Sequence, residues 1–264
     1  MAHDAPQTGY APVNGLNVYY ELHGSGRPLL VLHGAFMTIA LMGELIPRLS
    51  RTRQVIAVEF QGHGHTGDCD RPLSYEQLAD DAAALLRHLG ASPADVYGYS
   101  LGGGVALQLA LRHPGSVRKL VTVSASTSSA GAYPEVWSAI AQIKPELFDG
   151  TPWRQAYDRV APDPAAFPRL VAKLKQLDLT PFEWPADAVE AIAAPTLIVI
   201  GDSDGTRPEH AVELFRLRGG GVFGDIVGMP SAQLAILPGT SHVGMLERAD
   251  WLVPMVAAFL DAPP

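Results

Sequence analysis

Cysteine is almost missing from this chain. Cys69 stands alone among 264 residues, so no disulfide can close within the chain, and such usage suits a reducing compartment. Charge is also sparse. Charged residues make up 17% of the sequence, the net charge is −8, and no basic run occurs, which removes the electrostatic footprint of a nucleic-acid partner. No apolar run approaches the roughly 20 residues of a membrane span. The start, Met1-Ala2-His3-Asp4-Ala5-Pro6, lacks the basic n-region and apolar h-region of a secretory signal. These absences together predict a soluble cytoplasmic protein without a membrane or nucleic-acid partner. Repeats and low-complexity tracts are absent too. What is plentiful is apolar residues, at 47%. Over this length they can bury a sizeable core, as one large α/β domain or a domain with an insertion.

The chain is organised around Asp95-Val96-Tyr97-Gly98-Tyr99-Ser100-Leu101-Gly102-Gly103-Gly104-Val105. A short apolar strand leads into a glycine-flanked serine, and a helical run from Val105 to Leu111 follows. Gly98-x-Ser100-x-Gly102 is the pattern of a nucleophile elbow. A serine on so tight a strand-to-helix turn is strained, and side chains two residues before or after it would collide. In return its hydroxyl stands clear of the sheet, and the next backbone N–H, that of Leu101, points where an oxyanion would form.

Around this centre the sequence alternates strand and helix. Asn14-Gly15 sits between β-prone runs as a hairpin signal. Pro28–Leu32 and Val55–Val58 are continuous apolar strands of a sheet buried on both faces. A helix is predicted over Ala40–Leu49. Ser74-Tyr75-Glu76-Gln77 is a capping box opening a helix that stops at Gly90. Leu120–Val123 is a further strand, and the rhythm argues a parallel sheet with crossover helices. It then fails. From about Ser124 to Ala194 short helical patches are broken by Pro134, Pro145, Pro152, Pro162, Pro164, Pro168, Pro181 and Pro185. Strands resume at Pro195–Gly201 and Leu234–Leu237, with helices over Pro208–Arg218 and Asp250–Leu260. The division predicted is an α/β core over 1–124 and 191–264, with a helical insertion over 125–190.

A serine hydroxyl needs a base, and the base needs an orienting acid. Gly201-Asp202-Ser203-Asp204-Gly205 follows one late strand and Leu237-Pro238-Gly239-Thr240-Ser241-His242 the next. Carboxyl ends of parallel strands share one rim of a sheet, so Ser100, one of these aspartates and His242 can converge there. The order serine, aspartate, histidine is the one described for α/β-hydrolases. Over nearly its whole length the chain resembles an α/β-hydrolase-fold serine hydrolase, of the esterase, lactonase and haloperoxidase-like group. The hairpin, His33-Gly34, the Gly62-His63-Gly64 loop, the elbow, the Asp204 strand end and the His242 loop fall in the family's order. The resemblance implies Ser100 as nucleophile, His242 as base and Asp204 as acid. It also implies the backbone N–H groups of Ala35 and Leu101 as the oxyanion hole, and a cap formed by the insertion.

This sequence departs from the family in places. The loop after His33-Gly34 lacks the further glycines of the lipase-type motif, which leaves Phe36 as an alternative to Ala35. Glu59 and Gln61 stand where many members have aspartate and arginine, a difference expected to touch loop packing. The stretch from Gly219 to Gln233 is longer than a usual helix-to-strand loop.

Other motifs read more simply. Gly62-His63-Gly64-His65-Thr66-Gly67 matches G-x-G-x-x-G, but a polar loop follows where a dinucleotide site needs a helix. His63, His65, Asp68, Cys69 and Asp70 resemble a metal cluster without a third histidine at ligand spacing. Cys69 beside two aspartates is a poor thiolate. His33 is expected to organise the oxyanion loop, and His88, His113 and His210 to lie on helical surfaces as poor base candidates. No cofactor and no metal are expected. Tyr133, Trp137, Phe148, Trp153, Tyr157, Phe167, Phe182 and Trp184 lie in the insertion. Most should pack its own core, while a minority faces an apolar cleft for a small-molecule substrate with an apolar acyl or aromatic part. The expected activity is hydrolysis of a carboxylic ester or small lactone. Perhydrolysis or non-metal haloperoxidase chemistry, C–C bond hydrolysis and a non-catalytic binding role are the alternatives.

Overall fold

The computed structural model describes residues 5–263; Met1–Asp4, part of the stretch used to exclude a secretory signal, lie outside the described residues. Eight strands form one sheet: β1 (Gln7–Val13), β2 (Leu16–His23), β3 (Pro28–Leu32), β4 (Gln54–Val58), β5 (Ala94–Tyr99), β6 (Val117–Val123), β7 (Thr196–Ser203) and β8 (Ala232–Ser241). Their spatial order is β1-β2-β4-β3-β5-β6-β7-β8. The β1–β2 and β2–β4 pairs are antiparallel, and the rest of the sheet is parallel. This is the doubly wound, mostly parallel α/β architecture the alternation predicts.

Alternate residues of the central strands feed two cores. Leu30, Leu32, Ile56, Val58 and Val96 pack on one face with α2 (Tyr75–His88), α3 (Leu101–Arg112) and α8 (Pro208–Leu217). Leu29, Val31, Val55, Ala57 and Tyr97 pack on the other with α1 (Leu45–Leu49) and α10 (Ala249–Asp261). Both side-chain sets of each strand are therefore apolar, as burial on two faces requires. Truncating a residue such as Leu32 would cost about 2–5 kcal/mol. Helix α3 is buried at every position from Leu101 to Ala110, which explains its uninterrupted apolar run.

Between β6 and β7 the chain forms α4 (Pro134–Gln142), α5 (Pro152–Val160), α6 (Phe167–Leu179) and α7 (Ala186–Glu190). Several of the prolines that fragment this region in the sequence begin its helical segments. Pro134 and Pro152 are the first residues of α4 and α5, where the missing N–H has no intrahelical partner to lose. Lys173 of α6 reaches the loop after β4, donating to Asp68 Oδ1 at 2.8 Å and to the Arg71 carbonyl at 2.9 Å. Arg169 Nε pairs with Asp68 Oδ2 at 2.7 Å.

Three boundaries differ from expectation. The helix expected over Ala40–Leu49 is a 3-10 turn, Ile39–Met42, followed by the short α1. Gly43 between them takes φ +57° and breaks the helical path. The last strand is longer than Leu234–Leu237 and runs through Pro238, because β8 is an edge strand whose outer side has no ladder bond for proline to remove. The stretch from Gly219 to Gln233 contains a further turn of helix, α9 (Gly224–Val227). Around it Phe223, Ile226 and Met229 are exposed. Among the described residues no helix is long and apolar enough to cross a membrane.

Candidate active site

The parallel strands end on one rim, and the side chains singled out in the sequence meet there. Leu32 is level with Gly98, Tyr99 with Val123, and Val123 with Val199. The residues just beyond these positions therefore leave the sheet side by side.

Ser100 sits between β5 and α3 with φ +55° and ψ −119°, a strained conformation for a residue with a side chain. Its N–H is anchored to the Val123 carbonyl at 2.9 Å. The crowding that demands the flanking glycines is measurable. A Cβ on Gly98 would lie 2.1 Å from the Gly102 carbonyl oxygen, and one on Gly102 would lie 2.2 Å from that of Leu32.

Ser100 Oγ lies 2.9 Å from His242 Nε2, and His242 Nδ1 lies 2.7 Å from Asp204 Oδ1. Asp204 is buried. It also accepts the Ser124 hydroxyl on Oδ2 at 2.6 Å and the Thr206 N–H on Oδ1 at 3.1 Å. Burial alone would raise its carboxyl, but the hydrogen bond and charge of His242, followed by Ser124 and Thr206, outweigh it and hold Asp204 below its ordinary range. It is a stable anion with Nδ1–H as its donor, so Nε2 is free to accept from Ser100. The Tyr99 hydroxyl donates to the His242 carbonyl at 2.9 Å and fixes the loop carrying the imidazole.

Asp202 faces elsewhere. Its carboxylate accepts the N–H groups of Gly239 at 2.9 Å and Thr240 at 3.1 Å, tying β7 to the end of β8. The β7–β8 register shifts between Gly201 and Ser203, so Asp202 and Asp204 serve different neighbours.

The loop after β3 supplies a second amide. Phe36 N–H is directed at His63 Nε2, 3.3 Å away. Among the described residues no protein acceptor pairs with the N–H of Ala35 or of Leu101, and both residues line the cavity beside Ser100. The Phe36 N–H is thus engaged, and that of Ala35 has no acceptor among the described residues. His33 and His63 form the scaffold: His33 Nδ1 donates to the Gly34 carbonyl at 2.7 Å and its Nε2 accepts the Phe60 N–H at 3.3 Å. His63 Nδ1 donates to the Gln61 carbonyl at 3.0 Å. Burial, reinforced by His63, pushes His33 down to about 3, and burial pushes His63 down to about 4. Both stay neutral at physiological pH.

A cavity of about 360 Å³ opens over Ser100, walled by Val136, Trp137, Ile140 and Ile143 around α4 and by Tyr75 at the start of α2. Together these features give a hydroxyl beside an imidazole, an imidazole beside a carboxylate, two amides with no protein acceptor among the described residues, and a largely apolar chamber.

A family model described as the alpha/beta hydrolase fold matches residues 27–178. The chain belongs to the alpha/beta hydrolase fold family. A pimeloyl-[acyl-carrier protein] methyl ester esterase of Neisseria meningitidis is 27% identical over 255 residues, covering 89% of this chain and 94% of that protein. A 2-hydroxymuconate semialdehyde hydrolase of a Pseudomonas species is 35% identical over 116 residues, 42% of this chain and 41% of that protein. Among solved structures, the meta-cleavage product hydrolase of Pseudomonas fluorescens IP01 is similar with a TM-score of 0.78 at 20% identity, covering 97% of each chain. That likeness is one of fold.

Within this alpha/beta hydrolase fold the remaining motifs take structural places. Glu59 is buried and accepts from Ile39 N–H at 3.1 Å, His65 N–H at 2.6 Å and His65 Nδ1 at 2.9 Å. Gln61 bridges Asp68 and Arg71 at 2.7 and 2.6 Å. His63 and His65 thus turn to different partners, and among the described residues no three His, Cys, Asp or Glu side chains are grouped to hold a metal ion. His210 corrects the expectation of a helical surface residue. It is buried, and its Nε2 accepts the Thr127 N–H at 3.0 Å where the chain leaves β6. Burial lowers its pKa. Of the eight aromatic residues named in the insertion, Trp137 lines the cavity. Phe148, Tyr157 and Phe167 pack among themselves, and Phe182 and Trp184 pack with Tyr75.

Sequence reasoning passed over two residues. Ser124 follows β6 with φ +54° and grips Asp204; an isolated serine in a strand-to-loop step carries no signal. Asp178 lies in the last turn of α6 and lines the cavity. Burial raises its carboxyl to about 7, opposed by the charge of His242. Its one legible oddity is an acid at a helix C-terminus, where the helix dipole disfavours negative charge.

Proposed function

We propose that this protein is a serine hydrolase that cleaves a carboxylic ester or small lactone through an acyl-enzyme. The observation that carries the reading is the chain of contacts from Asp204 through His242 to Ser100, 2.7 and 2.9 Å long, ending in a cavity beside two unpaired amides. Ser100 Oγ attacks the carbonyl carbon as its proton passes to His242 Nε2. Asp204 holds the imidazole in the required tautomer and stabilises the imidazolium. The Leu101 and Ala35 N–H groups donate to the oxyanion, each such donor being worth about 10²–10³ in kcat. On collapse the alcohol leaves with the proton from His242; in a lactone it stays attached to the acyl group. Water, deprotonated by His242, then attacks the acyl-enzyme, releasing the acid and restoring Ser100. The name of the Neisseria relative, a methyl ester esterase, supports the ester reading. The Pseudomonas relative named a semialdehyde hydrolase matches less than half of the chain, so C–C bond hydrolysis on the same three residues is the second reading.

The test is a fluorophosphonate probe together with chromogenic esters graded in acyl length, small lactones and a vinylogous diketone. One label per chain that is lost in Ser100→Ala, with ester turnover lost in parallel, is the expected result. Equal labelling of Ser100→Ala overturns the nucleophile. Turnover of the diketone alone moves the protein to the second reading.

A further inference from the structure

Among the described residues Asp178 is the one carboxyl that lines the cavity. Among the described residues no N–H, hydroxyl or cation pairs with its carboxyl, whereas Asp204 has three donors. Asp178 lies in the last turn of α6 and lines the same cavity as Ser100, and its charge acts on both His242 and Tyr75. The cavity wall contains no lysine or arginine. Its other titratable side chains are His242, already held by Asp204, and Tyr75, whose hydroxyl also has no protein partner among the described residues.

An isolated carboxyl in an apolar chamber is costly unless something donates to it. When an alkyl chain fills the cavity it displaces the water that would otherwise solvate Asp178 and leaves the acid bare. A substrate carrying a hydroxyl or ammonium beside it supplies the missing donor, and Trp137 and Tyr75 are aromatic residues of the same wall, a residue type that attracts cations. Above about pH 7, where Asp178 is ionised, a substrate ending in a carboxylate meets a second anion and no counter-charge. We propose that Asp178 is a specificity-determining residue: it accepts a hydrogen bond from a hydroxyl or ammonium on the substrate, other than the group being cleaved, and turns away chains that end in a carboxylate. The inference rests on the serine-hydrolase reading for the position of that group, but the recognition itself is a property of the cavity.

Two measurements separate the ideas. The first is kcat/KM of wild type, Asp178→Asn and Asp178→Leu on 4-nitrophenyl esters whose acyl chains, graded in length, end in methyl, hydroxyl, ammonium or carboxylate. The second is the Kd of the matching anilides, which lack an activated leaving group, for Ser100→Ala with and without the Asp178 substitutions. At the best chain length wild type should prefer the donor-ended compounds over methyl by about 10- to 10³-fold, the range expected when a buried acceptor is left unpaired, and carboxylate should be worst. Asp178→Leu should lose both donor preferences; Asp178→Asn, still an acceptor but without charge, should keep that for hydroxyl and lose that for ammonium. Equal binding of methyl- and donor-ended anilides at every length overturns the assignment, as does a preference that survives in Asp178→Leu. A uniform fall in kcat/KM across all esters, with ratios unchanged, also overturns it and makes Asp178 a partner of His242 instead. If the esters are not turned over but the anilides discriminate, the hydrolase reading fails and the binding role of Asp178 stands.

Discussion

Ser124 Oγ donates to Asp204 Oδ2 over 2.6 Å, on the carboxylate whose other oxygen faces His242 at 2.7 Å. The serine therefore sets the plane of the carboxylate, and through it the direction of the imidazole. Hydrogen bonds to charged groups contribute about 1.5–3 kcal/mol. Ser124→Ala should accordingly lower kcat by about 10-fold or more with little change in KM, while Ser124→Thr, which keeps the hydroxyl, should recover part of it. Steady-state kinetics on one ester settle the matter; a kcat equal to wild type would remove Ser124 from the site.

Asp202 and Asp204 should separate cleanly. Asp204→Asn presents the wrong imidazole tautomer and should lose kcat by about 10⁴, the loss measured for the equivalent change in a serine protease. Asp202→Asn keeps one good acceptor for the Gly239 and Thr240 amides and should retain most activity with a lowered melting temperature. The opposite pattern would transfer the orienting role to Asp202.

The elbow should refuse a methyl group. In Gly98→Ala the new Cβ would stand 2.1 Å from the Gly102 carbonyl oxygen, which is backbone and cannot rotate away. The elbow must then shift, so we expect a loss of several kcal/mol, of the order seen for strained backbone and overpacking together, and loss of probe labelling at Ser100. Chemical denaturation and labelling read the two effects; an active, stable Gly98→Ala protein would refute the crowding argument.

Acid should destabilise the fold through His33 and His63. Their folded pKa values, about 3 and about 4, lie below the roughly 6.5 of an unfolded histidine. The unfolded chain thus takes up two protons that the folded one refuses, and their stabilisation, complete above about pH 6.5, is lost as pH falls toward 4. Asp178 acts in the opposite sense. Its folded value of about 7 lies above the ordinary carboxyl, so its contribution grows as pH falls from 7 toward 4. Asp178→Asn removes that offset, and its stability should fall more steeply with acid than wild type by about 1.4 kcal/mol per pH unit between pH 4.5 and 6.5. At pH 8 the same variant should be the more stable one. Urea midpoints across this range give both comparisons; parallel curves would place Asp178 in bulk-like water.

What the amino-acid sequence determined by itself is what depends on neighbours along the chain. Continuous apolar strands, the Ser74 cap of α2, prolines that begin helices and the Gly98-Ser100-Gly102 crowding are local, and local sterics and period carry them. So does the family order of Ser100, Asp204 and His242, which the rim of a parallel sheet turns into proximity. The tertiary structure decided what depends on contacts between distant segments. The shifted β7–β8 register sends Asp202 to the β8 backbone and Asp204 to His242. The His63 ring takes the Phe36 N–H and leaves that of Ala35 open. His210 is buried because the chain leaving β6 lies over it, and Asp178 faces the cavity because α6 is pinned by Lys173 and Arg169 to Asp68. Each of these is a choice between partners far apart in the chain, made by packing, and no periodicity within a single segment records it.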